Sequence, residues 1–423
     1  NGLSLGRSHE LNGALMREVV YWGAAIVAAI SLGAFFLKRA LRPPRRLPPV
    51  PRELTVRAVV PGMPGIRYLA GVDIEPFVQD VMAARQHEQE FLVRSGHAGP
   101  LPPADLLVIS GGGDNGAFGA GLLCAWSASG NRPAFKSVTG ISTGALIAPL
   151  AFVGSEYDEL LKKIYTSVTP TDIMEKRNVL AAITNDGMAD NRPLWDLISR
   201  SIDETLLTRI AEEHLKGRIL LVGTTNLDSR QPVIWNMGKI AASGHPEALR
   251  LCRAILLASA ALPGVFPPSM IGVEVDGTPY EEMHVDGGAS AQAFLYPPSM
   301  PGVARAMGGD MARVGRVYVL RNSTFGASWS RIERRTITIA GHAITSLIHT
   351  QGLGDLYRIY VTAQRDGFDF NLAYIGSDFT YKNKKGEFDT LYMQALFDYG
   401  YNLARRGFPW KKSPPGLETP LGL

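Results

Sequence analysis

Two glycine-rich turns, each following a short apolar run, constrain this chain more than any other feature. Leu106-Leu107-Val108-Ile109 is continuously apolar, as a strand buried on both faces must be, and it runs into Gly111-Gly112-Gly113-Asp114-Asn115-Gly116. A small-residue helical stretch, 117–126, follows. The next run, Ser137-Val138-Thr139, leads into Gly140-Ile141-Ser142-Thr143-Gly144, after which Ala145-Leu146-Ile147-Ala148 can start a helix. Strand, turn and helix repeated in this order predict a parallel sheet covered by helices. Strands are expected at 106–109, 137–141, 219–223, 233–236, 283–285 and 317–320. Helices are expected at 194–202, 246–260 and 390–406, and a long one at 336–364 broken near Gly352 and Gly354. Pro149 should kink or shorten the helix after Gly144.

The turns also carry chemistry. Gly140 to Gly144 reads G-x-S-x-G, a strained strand-to-helix turn that lifts a serine hydroxyl into a cleft. The positions two residues either side of Ser142 must lack a Cβ, and glycine meets that demand. The run from Gly111 to Gly116 can aim backbone N–H groups at a negative oxygen. It also satisfies G-x-G-x-x-G, but dinucleotide binding wants an acid at the end of the following strand, where this chain has Gly140-Ile141-Ser142. A nucleophile beside an oxyanion cradle points to acyl transfer.

Such a serine needs a base. The chain has eight histidines, none in an obvious motif. Asp286, in Met283-His284-Val285-Asp286-Gly287-Gly288, ends a strand at a glycine turn that leaves its carboxylate uncovered. In a dry cleft its pKa rises and it can take the serine proton directly. The competing reading is a turn aspartate bonded to its own backbone.

Taken together, these blocks resemble a bacterial patatin-like phospholipase. The glycine loop, the elbow, the segment Ala258-Ser259-Ala260-Ala261-Leu262-Pro263-Gly264-Val265-Phe266-Pro267-Pro268 and Asp286-Gly287-Gly288 occur in the family's order, and the similarity covers roughly residues 103–405. The resemblance implies a three-layer α/β/α patatin-like fold with a mostly parallel central sheet. It implies a Ser142–Asp286 dyad without histidine and an oxyanion hole lined by Gly111, Gly112, Gly113 and Asn115. No Cys/His cluster has metal-ligand spacing, so no metal is expected, nor any other cofactor. The expected reaction is hydrolysis of carboxylic esters of lipids through an acyl-enzyme. One departure is Asn115, where many family members carry Arg or Lys; it brings no charge and Asp114 beside it adds a negative one. Phospholipid, lysophospholipid, neutral glyceride and soluble ester therefore stay open as substrates. Two rivals remain: a Ser-His-Asp hydrolase using His342 or His349, and a non-catalytic membrane-tethered lipid-binding protein. The 258–268 segment reads as structural.

The amino-terminal part carries a second clue. Residues 19–37, from Val19 to Leu37, hold no charge and approach the ~20 residues that cross a bilayer as a helix. Lys38, Arg39, Arg42, Arg45 and Arg46 follow. The formal charge is +4, so the rest of the chain sums to −1, and the basic balance is a juxtamembrane cluster rather than a nucleic-acid footprint. The expectation is a single N-terminal transmembrane helix within 1–40, anchoring the protein in a bacterial inner membrane, with a cleaved signal peptide as the alternative; positive-inside counting favours a cytoplasmic catalytic domain but leaves the side open. Then come a Pro/Arg-rich linker at 41–64 with seven prolines, acting as a tether, a helical extension at 65–102 packing on the core, the catalytic domain at 103–410 and a tail at 411–423. Cys124 and Cys252 lie in small-residue helical contexts and are expected as buried thiols. Oligomeric state is not legible.

Overall fold

The computed structural model describes residues 21–22, 30–32, 35, 45–70, 72–177, 186–297, 313–326, 329 and 331–417. Its centre is a sheet of nine strands among the described residues: β1 Arg67–Leu69, β2 Ala104–Ile109, β3 Ser137–Gly140, β4 Ile219–Asn226, β5 Gln231–Asn236, β6 Ser269–Val275, β7 Thr278–Asp286, β8 Gly315–Arg321 and β9 Phe368–Tyr374. The spatial order is β1-β5-β4-β3-β2-β8-β9, with β7 pairing the far end of β4 and β6 pairing β7. From β4 to β9 every pairing is parallel. Strands β1 and β5 run on from the other side of β4 in antiparallel pairing, and the antiparallel hairpin of β6 and β7 pairs the end of β4 beyond β3.

Side-chain alternation divides the sheet into two buried faces. Leu107 and Ile109, Leu220 and Val222, and Leu320 pack on one face with α2 Gly116–Ala128, α3 Thr143–Val153, α4 Ala248–Ser259 and α6 Thr390–Arg405. Val108, Ile219 and Leu221, Val317 and Val319 pack on the other with α1 Ile74–Arg94 and α5 Thr336–Arg365. Apolar residues on both faces explain why these strands read as unbroken apolar runs. The arrangement is the expected three-layer α/β/α sandwich with a mostly parallel sheet.

The small residues of α2 have a specific use. A Cβ on Gly121 would lie 2.1 Å from the Phe397 carbonyl oxygen, and one on Gly400 would lie 2.4 Å from that of Phe118. Helices α2 and α6 therefore touch backbone to backbone. Cys124 and Cys252 are both free and buried, as expected.

Three expectations need correction. Helix α5 runs unbroken from Thr336 to Arg365. Gly352 sits within it not as a breaker but because a Cβ there would lie 3.1 Å from Gln292 and 3.2 Å from Arg321. Residues 45–64 are no free tether. Arg46 pairs with Asp228 at 2.7 Å, Val59 bridges to Glu274, and Ala58, Val60 and Met63 are buried in the main core. The prolines stiffen a strap whose Ala58, Val60 and Met63 point inward, which composition alone does not reveal. The 65–102 extension supplies not only α1 but also β1, an edge strand of the main sheet. Pro149 lies inside α3, which is short and ends at Val153.

Most of 19–37 lies outside the described residues. Among the described residues no helix is long and apolar enough to cross a membrane.

Candidate active site

The site forms where parallel strands end, as in other open α/β sheets. Strand β2 delivers the glycine loop, β3 delivers Ser142, and β8 delivers Arg321 and Asn322. The antiparallel β7 brings Asp286 to the same edge by pairing it with Thr224.

Ser142 has φ +56° and ψ −127°, a conformation that costs a residue with a side chain on the order of 1–3 kcal/mol. The surroundings enforce it. Gly144 N–H donates to the Ile141 carbonyl at 2.8 Å, and Ala145 N–H donates to that of Ser142 at 2.9 Å. A Cβ on Gly140 would lie 2.3 Å from the Gly144 carbonyl, and one on Gly144 would lie 2.2 Å from that of Ile109. Both glycines of the elbow are thus sterically required. Ser142 N–H donates at 3.0 Å to Ser259 Oγ, which donates in turn at 2.7 Å to the Gly223 carbonyl. The 258–268 segment, read as structural, holds the elbow through this side chain.

The Asp286 carboxylate accepts the Gly288 N–H at 2.7 Å, and the Ser142 side chain favours its charged form. The Gly288 bond is the one the turn reading expects, and it leaves the rest of the carboxylate facing the cavity. Asp286 is only 3% exposed. Burial pushes its pKa up to about 6, against the opposing pull of Ser142 and Gly288.

A buried network fixes β7 upstream of Asp286. Trp235 Nε1–H donates to Thr224 Oγ1 at 2.8 Å, and Thr224 pairs with His284 Nδ1 at 2.9 Å. His284 Nε2 meets Glu282 at 3.1 Å, and Arg67 closes the chain on Glu282. Burial lowers the His284 pKa, so the neutral ring donates to Glu282 and accepts from Thr224. Burial alone would raise Glu282, but His284 and Arg67 outweigh it and hold the carboxyl at about 2.

The glycine loop differs from expectation at one position. Gly111 N–H donates to the Gln292 carbonyl at 3.0 Å and is not available to an oxyanion. The N–H groups of Gly112 and Gly113 have no acceptor among the described residues. Thr143 N–H, at the first turn of α3, likewise has none there. Asn115 lines the cavity; its Oδ1 accepts from Tyr392 OH at 2.6 Å, and its N–H is taken by the Gly112 carbonyl. Only its side-chain amide N–H groups are left to donate. Asn322 braces the loop, donating to the Ser110 carbonyl at 3.0 Å and accepting from Gly119 N–H at 3.1 Å.

A cavity of about 370 Å³ opens over these groups. Ser142, Asp286 and the loop from Gly111 to Asn115 line one side; Leu146, Leu194, Leu262, Phe266 and Ile348 line apolar walls. His349 also faces it, but no hydrogen bond joins it to Ser142 or Asp286, and His342 does not line it. Sequence reasoning does not single out a role for Ser259, Gln292, Arg321, Asn322 or Thr143. The signal for Arg321 and Asn322 is two polar residues ending a buried parallel strand.

Residues 107–296 match the model of the family described as patatin-like phospholipase. The crystal structure of VipD from Legionella pneumophila aligns with a TM-score of 0.37 at 12% identity, covering 72% of this chain. The match spans 66% of that structure's chain, just under two thirds. No curated protein matches the chain.

Proposed function

We propose that this chain, through its patatin-like phospholipase domain, is a serine hydrolase that cleaves carboxylic esters of lipids. The observation that carries the reading is Ser142, held at φ +56° in one cavity with the buried Asp286, whose charged form it favours. Asp286 takes the Ser142 proton as the hydroxyl oxygen attacks the ester carbonyl. The tetrahedral oxyanion is met by the N–H groups of Gly112, Gly113 and Thr143. The C–O bond to the alcohol breaks, and Asp286 returns the proton to the leaving oxygen. Water then attacks the acyl-enzyme with Asp286 again as base, releasing the carboxylic acid and restoring Ser142. Ser142 and Asp286 line one cavity, and no hydrogen bond joins His342 or His349 to either, which supports this reading over a histidine-dependent triad.

Apolar walls on the cavity favour an acyl chain over a small soluble ester. We take residues 19–37 as the anchor that keeps the enzyme at a membrane, on the strength of their uncharged sequence and the basic cluster behind them.

The test uses Ser142→Ala and Asp286→Asn separately, assayed on aryl esters and on lipids in mixed micelles. Each should lose at least about 10³-fold in kcat, in the range that removing a catalytic nucleophile or base costs. A fluorophosphonate should label the wild type at Ser142. Near-wild-type turnover in either variant, or labelling elsewhere, overturns the assignment.

A further inference from the structure

Arg321 ends the apolar strand Val317-Tyr318-Val319-Leu320 and is only 4% exposed, yet it lines the cavity that holds Ser142. Its Nη1 donates to the Gly352 carbonyl at 2.9 Å. Its Nε is buried without a partner, and Nη2 has no acceptor among the described residues. The Phe325 ring stacks at 5.0 Å from the guanidinium. Among the described residues no carboxylate forms an ion pair with it. Asp355 is the acid that acts on it, but that carboxylate is already engaged by Arg358 at 2.9 Å, the Gln292 N–H at 2.6 Å and Gln351 at 3.2 Å.

A buried guanidinium with one carbonyl partner is expensive unless something completes it. Burial draws its pKa down only to about 10, so it stays charged at neutral pH. A second cation, Lys384, lines the same cavity but is occupied by Asp114 at 2.8 Å and by the Tyr392 ring. Arg321 is therefore the cavity cation left without an anion among the described residues, in a chain whose glycine loop carries uncharged Asn115.

Resting on the hydrolase reading above, we propose that Arg321 forms an anion subsite of the ester cavity. It binds a phosphate oxygen through Nη2 while the acyl carbonyl occupies the position over Ser142. The planar guanidinium, already fixed by Gly352 and Phe325, is preorganised for phosphate. The phosphate is either the substrate's own headgroup or a free anion held beside the scissile ester.

Two measurements decide it. In the first, kcat/KM is determined for a monoacyl glycerophosphate and for the monoacylglycerol with the same chain. The ratio of the two should fall at least about tenfold in Arg321→Gln, with part of it restored in Arg321→Lys, since a hydrogen bond to a charged group is worth that much. Equal losses on both substrates, with phosphate failing to raise the wild-type Tm more than that of Arg321→Gln, would mean that Arg321 only supports the fold and would overturn the subsite. In the second, inorganic phosphate and sn-glycerol 3-phosphate are titrated into the wild-type protein and Arg321→Gln. They should raise the wild-type Tm and inhibit neutral-ester turnover competitively, with both effects weakened in the variant. Stabilisation by phosphate without any lipid preference assigns the subsite to a free anion; lipid preference assigns it to the headgroup. Absence of both wild-type stabilisation and lipid preference overturns the proposal. The Tm readout needs no turnover, so a failure of the hydrolase reading is seen separately in the Ser142→Ala and Asp286→Asn assays.

Discussion

Ser259 Oγ accepts the backbone N–H of Ser142 at 3.0 Å, and its hydroxyl passes the bond on to the Gly223 carbonyl at 2.7 Å. The strained elbow is thus tied to β4 through one buried hydroxyl with no measurable exposure. Ser259→Ala would strand a donor and an acceptor in a dry site, costing about 1–3 kcal/mol. The elbow would then relax, and the rate of Ser142 labelling by a fluorophosphonate should fall about tenfold. The variant's Tm and labelling rate check this. An unchanged labelling rate would mean that the glycines alone hold Ser142 in place.

The pH dependence of turnover follows from Asp286. A base works only as carboxylate, and burial places its pKa at about 6. Below that value kcat/KM should fall about tenfold per pH unit; above pH 7 it should be flat as far as this group is concerned. His349 faces the same cavity, and burial and Arg321 lower its pKa. The limb should therefore be recorded in His349→Ala as well. Loss of the limb in that variant, with the wild-type limb present, would move the base from Asp286 to histidine.

The glycine loop separates steric need from conformational need. A Cβ on Gly112 would lie 2.2 Å from the Asn322 carbonyl oxygen, whereas one on Gly113 would meet nothing within 4 Å. Gly113 has φ +58°, so Gly113→Ala bears only the left-handed cost of about 1–2 kcal/mol. That variant should fold and keep turnover within about tenfold, because the backbone N–H is retained. Gly112→Ala must displace the backbone that braces the loop and should lose several kcal/mol. Chemical denaturation of the two variants gives the comparison, and equal stabilities would contradict it.

How much of this is legible in sequence depends on range. The elbow, the glycine loop and Asp286 are readable because each is a local pattern whose neighbours in the chain are also its neighbours in space. The apolar strands 106–109 and 317–320 are readable because burial on both faces leaves no polar alternation. Strands β6 and β9 escape such a reading: Ser269–Val275 and Phe368–Tyr374 mix exposed or polar positions with apolar ones, and pairing with β7 and β8 decides them. Gly352 reads as a helix breaker because its close approach to Gln292 and Arg321 is a tertiary fact. Gly111 reads as an oxyanion donor for the same reason, its N–H being claimed by the carbonyl of Gln292, far along the chain. Arg321, whose partners are Gly352 and Phe325, cannot be distinguished from a surface arginine without the fold.

Asp286 also sets a trade between stability and activity whose sign can be worked out. Its folded pKa of about 6 lies above the ordinary carboxylate value, so between about pH 4 and pH 6 the folded protein binds more protons than the unfolded chain. Stability contributed by the protonated form is present at pH 4 and is lost as pH rises through 6. The difference between the folded and ordinary values corresponds to roughly 3 kcal/mol at neutral pH. The asparagine of the Asp286→Asn variant would keep the oxygen that accepts Gly288 N–H and carry no charge. Asp286→Asn should therefore be more stable than wild type at pH 7.5, by up to about 3 kcal/mol, and equal to it near pH 4. The buried His284 pulls the other way: its pKa is lowered, so both proteins lose stability as pH falls below about 6.5. That contribution is common to both and cancels in the difference. Urea denaturation of the two proteins at pH 4 and pH 7.5 measures it. A variant less stable than wild type at pH 7.5 would mean that the Asp286 carboxylate is stabilised, not strained, in its site.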